Sequence, residues 1–354
     1  MTLGCADEYT AYITARGSDT SVISLSPTAI EWHRKNNEVS TASVVVDGVS
    51  GDCCGDMADI DPWVHELHVI RDGVRVWCGP VLTVEYESDK VTVNASDLGI
   101  WLSRRRVNSK FDRQSILPEQ WARKMVEECI EKDNSMNMSY SVWSASVGSG
   151  FDRMIRFRDF KMCDSEISEV ASDRIDWWVI LRVVYLAGYE YETPEASVTD
   201  SHFASVGAIT VSGEQTGNDY IVTGRGRGSS GKEKYGWSGD AELYGDPFPN
   251  QSIYGVHQRV VDNEYLHKTE QLYDKSKELV SRYNRLSTSF SGGAVDPSFP
   301  LDIMSIHPGV VLSVDLAETC RPITGNFRVN SLDVTVSEDG DEEVSVEVQR
   351  LGYG

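Results

Sequence analysis

The sequence is short of cations, of paired metal-binding cysteines and of long apolar runs, and each shortage excludes something. Lys and Arg number 33 against 55 Asp and Glu, a formal net charge of −22. A surface that grips phosphates needs clustered cations, so extended nucleic-acid binding is excluded as a general activity. The same charge suits solubility, cationic partners, or a surface that DNA passes without adsorbing. No run approaches the ~18–20 consecutive apolar residues of a membrane helix. The opening MTLGCADEYTAY has neither the basic nor the apolar region of a secretory signal. Seven cysteines (Cys5, Cys53, Cys54, Cys78, Cys129, Cys163, Cys320) are odd in number, scattered, and form no CxxC pair. They predict reduced thiols in a protein made in a cytosol.

The usual signatures of catalysis are missing too. There is no GxSxG, and no cysteine sits in a nucleophile motif. Gly226-Arg227-Gly228-Ser229-Ser230-Gly231-Lys232-Glu233 satisfies GxGxxG and GxxxxGK on paper, but Glu233 replaces the magnesium-binding hydroxyl. No helix start follows the glycines, so the stretch reads as a flexible basic hairpin loop, with Arg225 and Arg227 free to meet a partner's carboxylates. His65-Glu66-Leu67-His68 is one residue short of HExxH and lies on strand-patterned sequence, where residues three apart face opposite ways. The carboxylates cluster in turns (Asp339, Asp341, Glu342) or along helix surfaces (Glu127, Glu128, Glu131), where solvated faces are the simplest reading. No catalytic, cofactor-binding or metal-ligating residue is assigned, and no cofactor is expected.

What is present is alternation. At 354 residues the chain is long enough for two or three domains, and 40% hydrophobic with 25% charged residues is ordinary globular composition. EYTAYITARG and TSVISLS form an expected hairpin around Gly17-Ser18-Asp19, and AIEWHRKNNEVSTASVVVDG supplies two more strands. LHVIRDGVRVWCGPVLTVEYESDKVTVNAS supplies three, with an Arg71-Asp72-Gly73 hairpin and a break at Gly79-Pro80. Ser96 or Asp97 caps a short helix, and SILPEQWARKMVEECIEK predicts a second with Trp121, Met125 and Cys129 on one face. SEISEVASDRIDWWVILRVVYLAG starts as a helix that continues to Leu186, or else Trp177 to Tyr185 is a buried strand. Strands at Ala208–Ser212 and Asp219–Thr223 flank a Gly-rich turn. A long helix carries Val261, Tyr265, Leu272, Leu279, Tyr283 and Leu286 on one face. Three closing strands follow from Val310, the last two joined through the acidic hairpin Glu338–Asp341. Trp177-Trp178 fits core or a binding rim, and Tyr235, Trp237 and Tyr244 fit a loop docking on a neighbour.

Four segments, in order, resemble the tail-hub (baseplate hub) family of minor tail proteins in long-tailed phages of actinobacteria. They are IEWHRKNNEVSTASVVVDG, the Arg-Asp-Gly and Trp-x-Gly-Pro stretch ELHVIRDGVRVWCGPVLTVEYESDKVTVNASDLGIWLSRR, NDYIVTGRGRG before the long helix, and HPGVVLSVDL with FRVNSLDVTVSEDGDEEVSVEVQ. Residues 134–190 are where the sequence departs from the family's pattern. The resemblance implies a β-rich α+β fold: two small β-barrels of tail-hub type, a helical or mixed insert and a long amphipathic helix. The expected segments are a first barrel at 1–103, an insert at 104–190, and a second β domain at 191–354 with its helix at about 258–287 and closing strands at 309–350. It implies a structural, non-enzymatic virion protein. Such a protein forms a homotrimeric tail-tip ring around the DNA channel, assembled in the host cytoplasm and serving genome ejection. Implied neighbours are the distal tail protein, the tape-measure protein and receptor-binding tail-tip components, with DNA passing without sequence-specific contact. Relatives that carry an enzymatic or adhesin extension continue past the hub, and a close at Gly354 leads us to expect none. Competing expectations are a virion-associated cell-wall hydrolase and a carbohydrate- or receptor-binding tail protein.

Overall fold

The computed structural model describes residues 2–47, 57–144, 151–155, 159–171, 175–188, 193–214, 216–225, 233–239, 253–262, 266, 268–284 and 286–351. The first part contributes β1 (Tyr9–Ala15), β2 (Ser21–Leu25), β3 (Ala29–Lys35), β4 (Thr41–Asp47), β5 (His65–Arg71), β6 (Val74–Tyr86) and β7 (Lys90–Ser96). Their alternation buries one face: Ile30, Trp32 and Arg34 of β3 and Ala42, Val44 and Val46 of β4 point inward. The β5–β6 hairpin has Asp72 (φ 52°) and Gly73 (φ 77°) as its two central residues. Positive φ at both positions matches the turn to the strand twist. The expected break at Gly79-Pro80 does not occur. β6 runs straight through and changes partner there, Pro80 lying opposite Glu66 of β5 and Val81 opposite Ala95 of β7. Gly79 is required because a Cβ would stand 1.8 Å from the Ser96 carbonyl oxygen.

The middle segment, or insert, holds α1 (Ile100–Arg104, mostly before the expected start at 104), β8 (Phe111–Ile116), α2 (Pro118–Lys132), β9 (Ser139–Ser144), β10 (Phe151–Ile155), α3 (Cys163–Ala171), β11 (Ile175–Ile180) and β12 (Val183–Gly188). Asp97 reaches the start of α1 by accepting the Gly99 N–H at 2.8 Å, while its other oxygen takes the Ser40 N–H at 2.7 Å. α2 opens with proline in its first turn and buries Trp121, Met125, Val126 and Cys129. The helix that would have continued to Leu186 is instead the hairpin β11–β12. Leu181 (φ 53°) makes its turn, and β9 pairs alongside β12 in parallel.

The remainder gives β13 (Ala196–Thr199), β14 (Ala208–Ser212), β15 (Asp219–Arg225), β16 (Glu233–Gly239), β17 (Gln258–Asp262), α4 (Thr269–Tyr283), β18 (Ser287–Ala294), β19 (Val311–Leu316), β20 (Ile323–Val336) and β21 (Glu342–Arg350). The long helix is shorter than the expected 258–287, because Gln258–Asp262 pairs as a strand with β15. β14 and β15 do not pair with each other either: β14 joins β18 and β15 joins β16 and β17.

Two closed barrels are not what the pairing shows. Among the described residues one 13-stranded sheet runs β14-β18-β21-β20-β3-β4-β7-β6-β5-β1-β2, with β19 and β13 branching from β20. β20 is the reason. Its 14 residues pair with β19 over Ile323–Arg328 and then with β3 over Ser331–Val336, while β21 follows its other edge. The sheet curls until side chains bridge it. Glu342 of β21 accepts Arg71 Nε and Nη2 at 2.8 Å each and the Tyr9 hydroxyl at 2.6 Å. Burial, then the neighbouring Glu342, pushes the Tyr9 hydroxyl above its ordinary pKa. Glu342 therefore leaves the solvated acidic hairpin it was expected to share with Asp339 and Asp341.

Two cores result. One joins Ile13, Trp32, Leu67 and Val93 with Phe290, Phe327, Leu332 and Val346. The other joins Leu98, Trp121, Met125, Trp177 and Leu186 with Tyr220, Leu272 and Leu279 of the third segment. Arg34 lies inside the first, capped by the carbonyls of Ile303 (2.6 Å), Ile306 and Val76 (2.9 Å each). Burial draws its pKa down to about 10, so it stays charged near neutrality.

Candidate functional site

The sheet's inner face is apolar, so the alternation that built it leaves an outer face of opposite character. The registers put Thr83, Asn94, Ser43, Glu31, Thr335 and Glu343 in one line across β6, β7, β4, β3, β20 and β21. On the same face a second line holds His33, Asp333 and Ser345, and a third holds Lys35, Ser331 and Glu347. Six strands at roughly 4.8 Å spacing make a face about 24 Å wide, the dimension of a wall more than of a pocket. Its side chains are mostly hydroxyls, amides and carboxylates, with His33, Lys35 and Lys90 as basic groups and Ala29 and Val45 as apolar ones.

The carboxylates are held in place. His33 Nδ1 lies 2.6 Å from Asp333 Oδ1 and its Nε2 lies 3.2 Å from Glu31 Oε1. Burial opposes ionisation of Asp333, yet the His33 hydrogen bond and charge, with Ser331 and Lys35, hold its carboxyl below the ordinary range. The charge on Asp333 therefore persists at neutral pH. Such a face can repel polyanions and hydrogen-bond water, but it presents no row of cations for phosphates.

The joint with the insert is chemically different. β11 is buried along its whole length, and its one carboxylate, Asp176, accepts Arg328 Nη1 at 2.6 Å, Asn36 Nδ2 at 2.7 Å and Asn37 Nδ2 at 3.1 Å. Arg182, at the β11–β12 turn, donates to Glu66 Oε2 at 2.6 Å. Beside them Trp178 stacks on His307 (5.5 Å between centroids) and on Tyr185 (5.8 Å), with Trp143 edge-on to His307 at 5.0 Å. Gly309 (φ 90°) makes room, since a Cβ there would meet Trp178 at 2.8 Å.

The residues singled out in the sequence are dispersed. His65 and His68 face apart: His65 Nδ1 accepts the Asp61 N–H at 2.9 Å at the surface, and His68 is fully buried. Trp177 and Trp178 are both core. Glu127 takes Arg123 at 2.9 Å, the Tyr140 hydroxyl at 2.7 Å and Lys124. Glu128 is buried and not solvated, receiving the Asn108 and Ser109 N–H groups at 3.0 and 3.2 Å. Tyr235 and Trp237 lie on β16 opposite Thr223 and Ile221 of β15. Residues 226–232 and Tyr244 lie outside the described residues. No group of three or more His, Cys, Asp or Glu able to hold a metal occurs among the described residues. The five described cysteines are free thiols, and burial pushes Cys78 and Cys163 up to about 12 and Cys129 to about 11.

Sequence reasoning missed the Glu66–Arg182 and Asp176–Arg328 pairs. The available signal was a single Asp and a single Arg inside the otherwise apolar stretch Ile175–Gly188, since charges in such a run are kept only when paired.

No protein-family model matches the sequence, and no curated protein matches it. The fold does have counterparts among solved structures. The chain is similar to the tail protein from Neisseria meningitidis MC58, with a TM-score of 0.66 at 11% identity over 97% of this chain and 96% of that one. It is also similar to the 43 kDa tail protein of prophage MuSo2 from Shewanella oneidensis, with a TM-score of 0.61 at 14% identity over 97% and 98%. A third likeness is to the E. coli c3393 protein, a type VI secretion component described as structurally similar to the T4 bacteriophage tail proteins gp27 and gp5. There the TM-score is 0.51 at 9% identity, over 97% of this chain and 77% of that one. The shared property is the fold: a β-rich chain built on a large antiparallel sheet, as in phage tail and hub-like proteins.

Proposed function

We propose that this chain is a structural, non-enzymatic component of a phage tail, and that its outer sheet face is a stretch of the wall of the DNA channel. The observation that carries this is the six-strand line of hydroxyl, amide and carboxylate side chains backed along its length by apolar core. Double-stranded DNA carries about one negative charge per 1.7 Å of axis, so a wall it must slide past needs carboxylates and small neutral groups, and few cations. The face has that composition, and the fold is shared with tail proteins.

In the finer reading the chain is the hub at the tail tip of a long-tailed actinobacteriophage. Three copies close a ring, each joining the next through complementary, non-identical patches. The distal tail and tape-measure proteins would be its neighbours above, receptor-binding tail-tip proteins its neighbours outside, and the host cytoplasm its place of assembly. The segments 1–103, 104–190 and 191–354 remain our proposed division of the chain. The mass of the purified protein, alone and mixed with its tail neighbours, tests the ring: a closed oligomer is expected, and a monomer in every mixture overturns it. Glu31→Lys with Glu343→Lys tests the wall. Particles are expected to assemble in normal number while DNA release slows, and unchanged release contradicts the assignment.

A further inference from the structure

Five ionisable side chains from four elements converge where the sheet meets the insert: Asp19 in the β1–β2 turn, Glu66 and His68 on β5, Arg75 on β6 and Arg182 in the β11–β12 turn. His68 is fully buried among them. Its ring stacks on Tyr12 at 4.8 Å, Cys78 lies opposite on β6, and its Nε2 is 3.1 Å from Thr14 Oγ1. Its Nδ1 is 3.4 Å from Arg75 Nη1, and because a guanidinium only donates, the network assigns the ring proton to Nε2. Arg75 also pairs with Asp19, and Arg182 Nε lies 3.8 Å from the same carboxylate. Two carboxylates and two guanidiniums thus balance around a neutral imidazole.

We propose that His68 is an acid-operated release for the joint between the sheet and the insert. A proton taken up at Nδ1 turns the acceptor facing Arg75 into a second donor and adds a buried positive charge beside two others. The imidazolium then competes for Glu66, 3.8 Å from Nε2, which is the carboxylate that anchors Arg182. Arg182 also donates to the carbonyls of Met136 (2.7 Å) and Ser18 (3.0 Å), so its release frees the β11–β12 turn from both sides. Burial, then Arg75 and Arg182, lowers the ring from the usual 6.5 to about 3. A folded pKa below the unfolded one means that the closed joint is fully favoured above about pH 6.5 and loses that support as pH falls toward 3.

Hydrogen exchange of the full chain between pH 8 and pH 4, corrected for intrinsic rate, tests this. Amides of β9, β11 and β12 are expected to lose protection before those of β3, β4 and β20 as pH falls. His68→Gln, which cannot be charged, is expected to keep the insert protected to a pH lower by about one unit or more. Arg75→Gln, at a partly exposed site, removes one cation beside the ring, brings its folded pKa nearer 6.5 and so moves the loss to lower pH, and it serves alone should His68→Gln not fold. Loss of both regions together in the wild-type chain, or a midpoint that the variants do not move, overturns the proposal.

Discussion

The sheet and the insert bury their charges in opposite ways. In the sheet, period-2 alternation sorts carboxylates such as Glu31, Asp47 and Glu343 to the outer face, while Glu66 and Glu342 lie inside, paired with Arg182 and Arg71. In the insert, β11 is buried on both faces, so Asp176 must be carried inside and matched by Arg328, as Glu66 is matched by Arg182. The lesson is about tolerance. A charge on the outer face is replaceable one residue at a time, whereas the charges at the joint are replaceable only in pairs, because losing one partner strands the other in a poorly solvated site.

The largest effect expected from this contrast is at the joint. Arg182→Met leaves the buried Glu66 without its guanidinium, the Gly17 N–H at 3.0 Å still donating to it, and denaturant unfolding is expected to show a loss of about 3–5 kcal/mol. Adding Glu66→Leu is expected to recover most of it, and a double variant no better than the single would erase the distinction between the regions. Next comes Asp97, where the sheet hands over to α1. Burial raises its carboxyl to about 7. A folded pKa above the unfolded one gives stability that is present below about pH 4 and lost as pH climbs through 7. Wild type is therefore expected to lose roughly 2–4 kcal/mol over that range relative to Asp97→Asn. Parallel pH profiles for the two proteins would contradict the assignment.

A smaller effect separates two glycines of similar backbone geometry. Gly340 in the β20–β21 hairpin (φ 84°) has open space around its missing Cβ, and Gly309 (φ 90°) has Trp178 at 2.8 Å. Gly340→Ala is expected to cost about 1 kcal/mol from backbone strain alone, and Gly309→Ala about 2–3 kcal/mol, in thermal or denaturant melts. Equal costs would show that the joint is no tighter than the sheet. The smallest effect is on the outer face, where Glu31→Gln is expected to change stability by less than about 0.5 kcal/mol.

Legibility follows the same divide. β3 and β4 were readable because Ile30, Trp32, Ala42 and Val44 alternate with exposed or half-exposed neighbours, and the Asp72-Gly73 turn announces its hairpin. Trp177 to Tyr185 was not readable as strand over helix, since a segment buried on both sides carries no period to count. What decides it is tertiary: the turn at Leu181, the pairing with β9 and the carboxylate of Asp176. The partners of β14 and β15 were equally hidden, because β14 pairs with β18, roughly eighty residues on, and β17 holds β15 where a helix was expected. Two separate barrels were a fair expectation from two blocks of alternation. Only the length of β20, spread over β19 and β3, shows that the blocks share one sheet. The polar face was written in the sequence as the off-beat residues of each strand. Its continuity across six strands needed the registers.

The most direct measurement is a three-dimensional reconstruction of the assembled tail tip with this chain traced in it. The channel-wall assignment predicts Thr83, Asn94, Ser43, Glu31, Thr335 and Glu343 facing the bore in every copy. Finding that face turned outward, or covered by another tail protein while different residues line the bore, would contradict it.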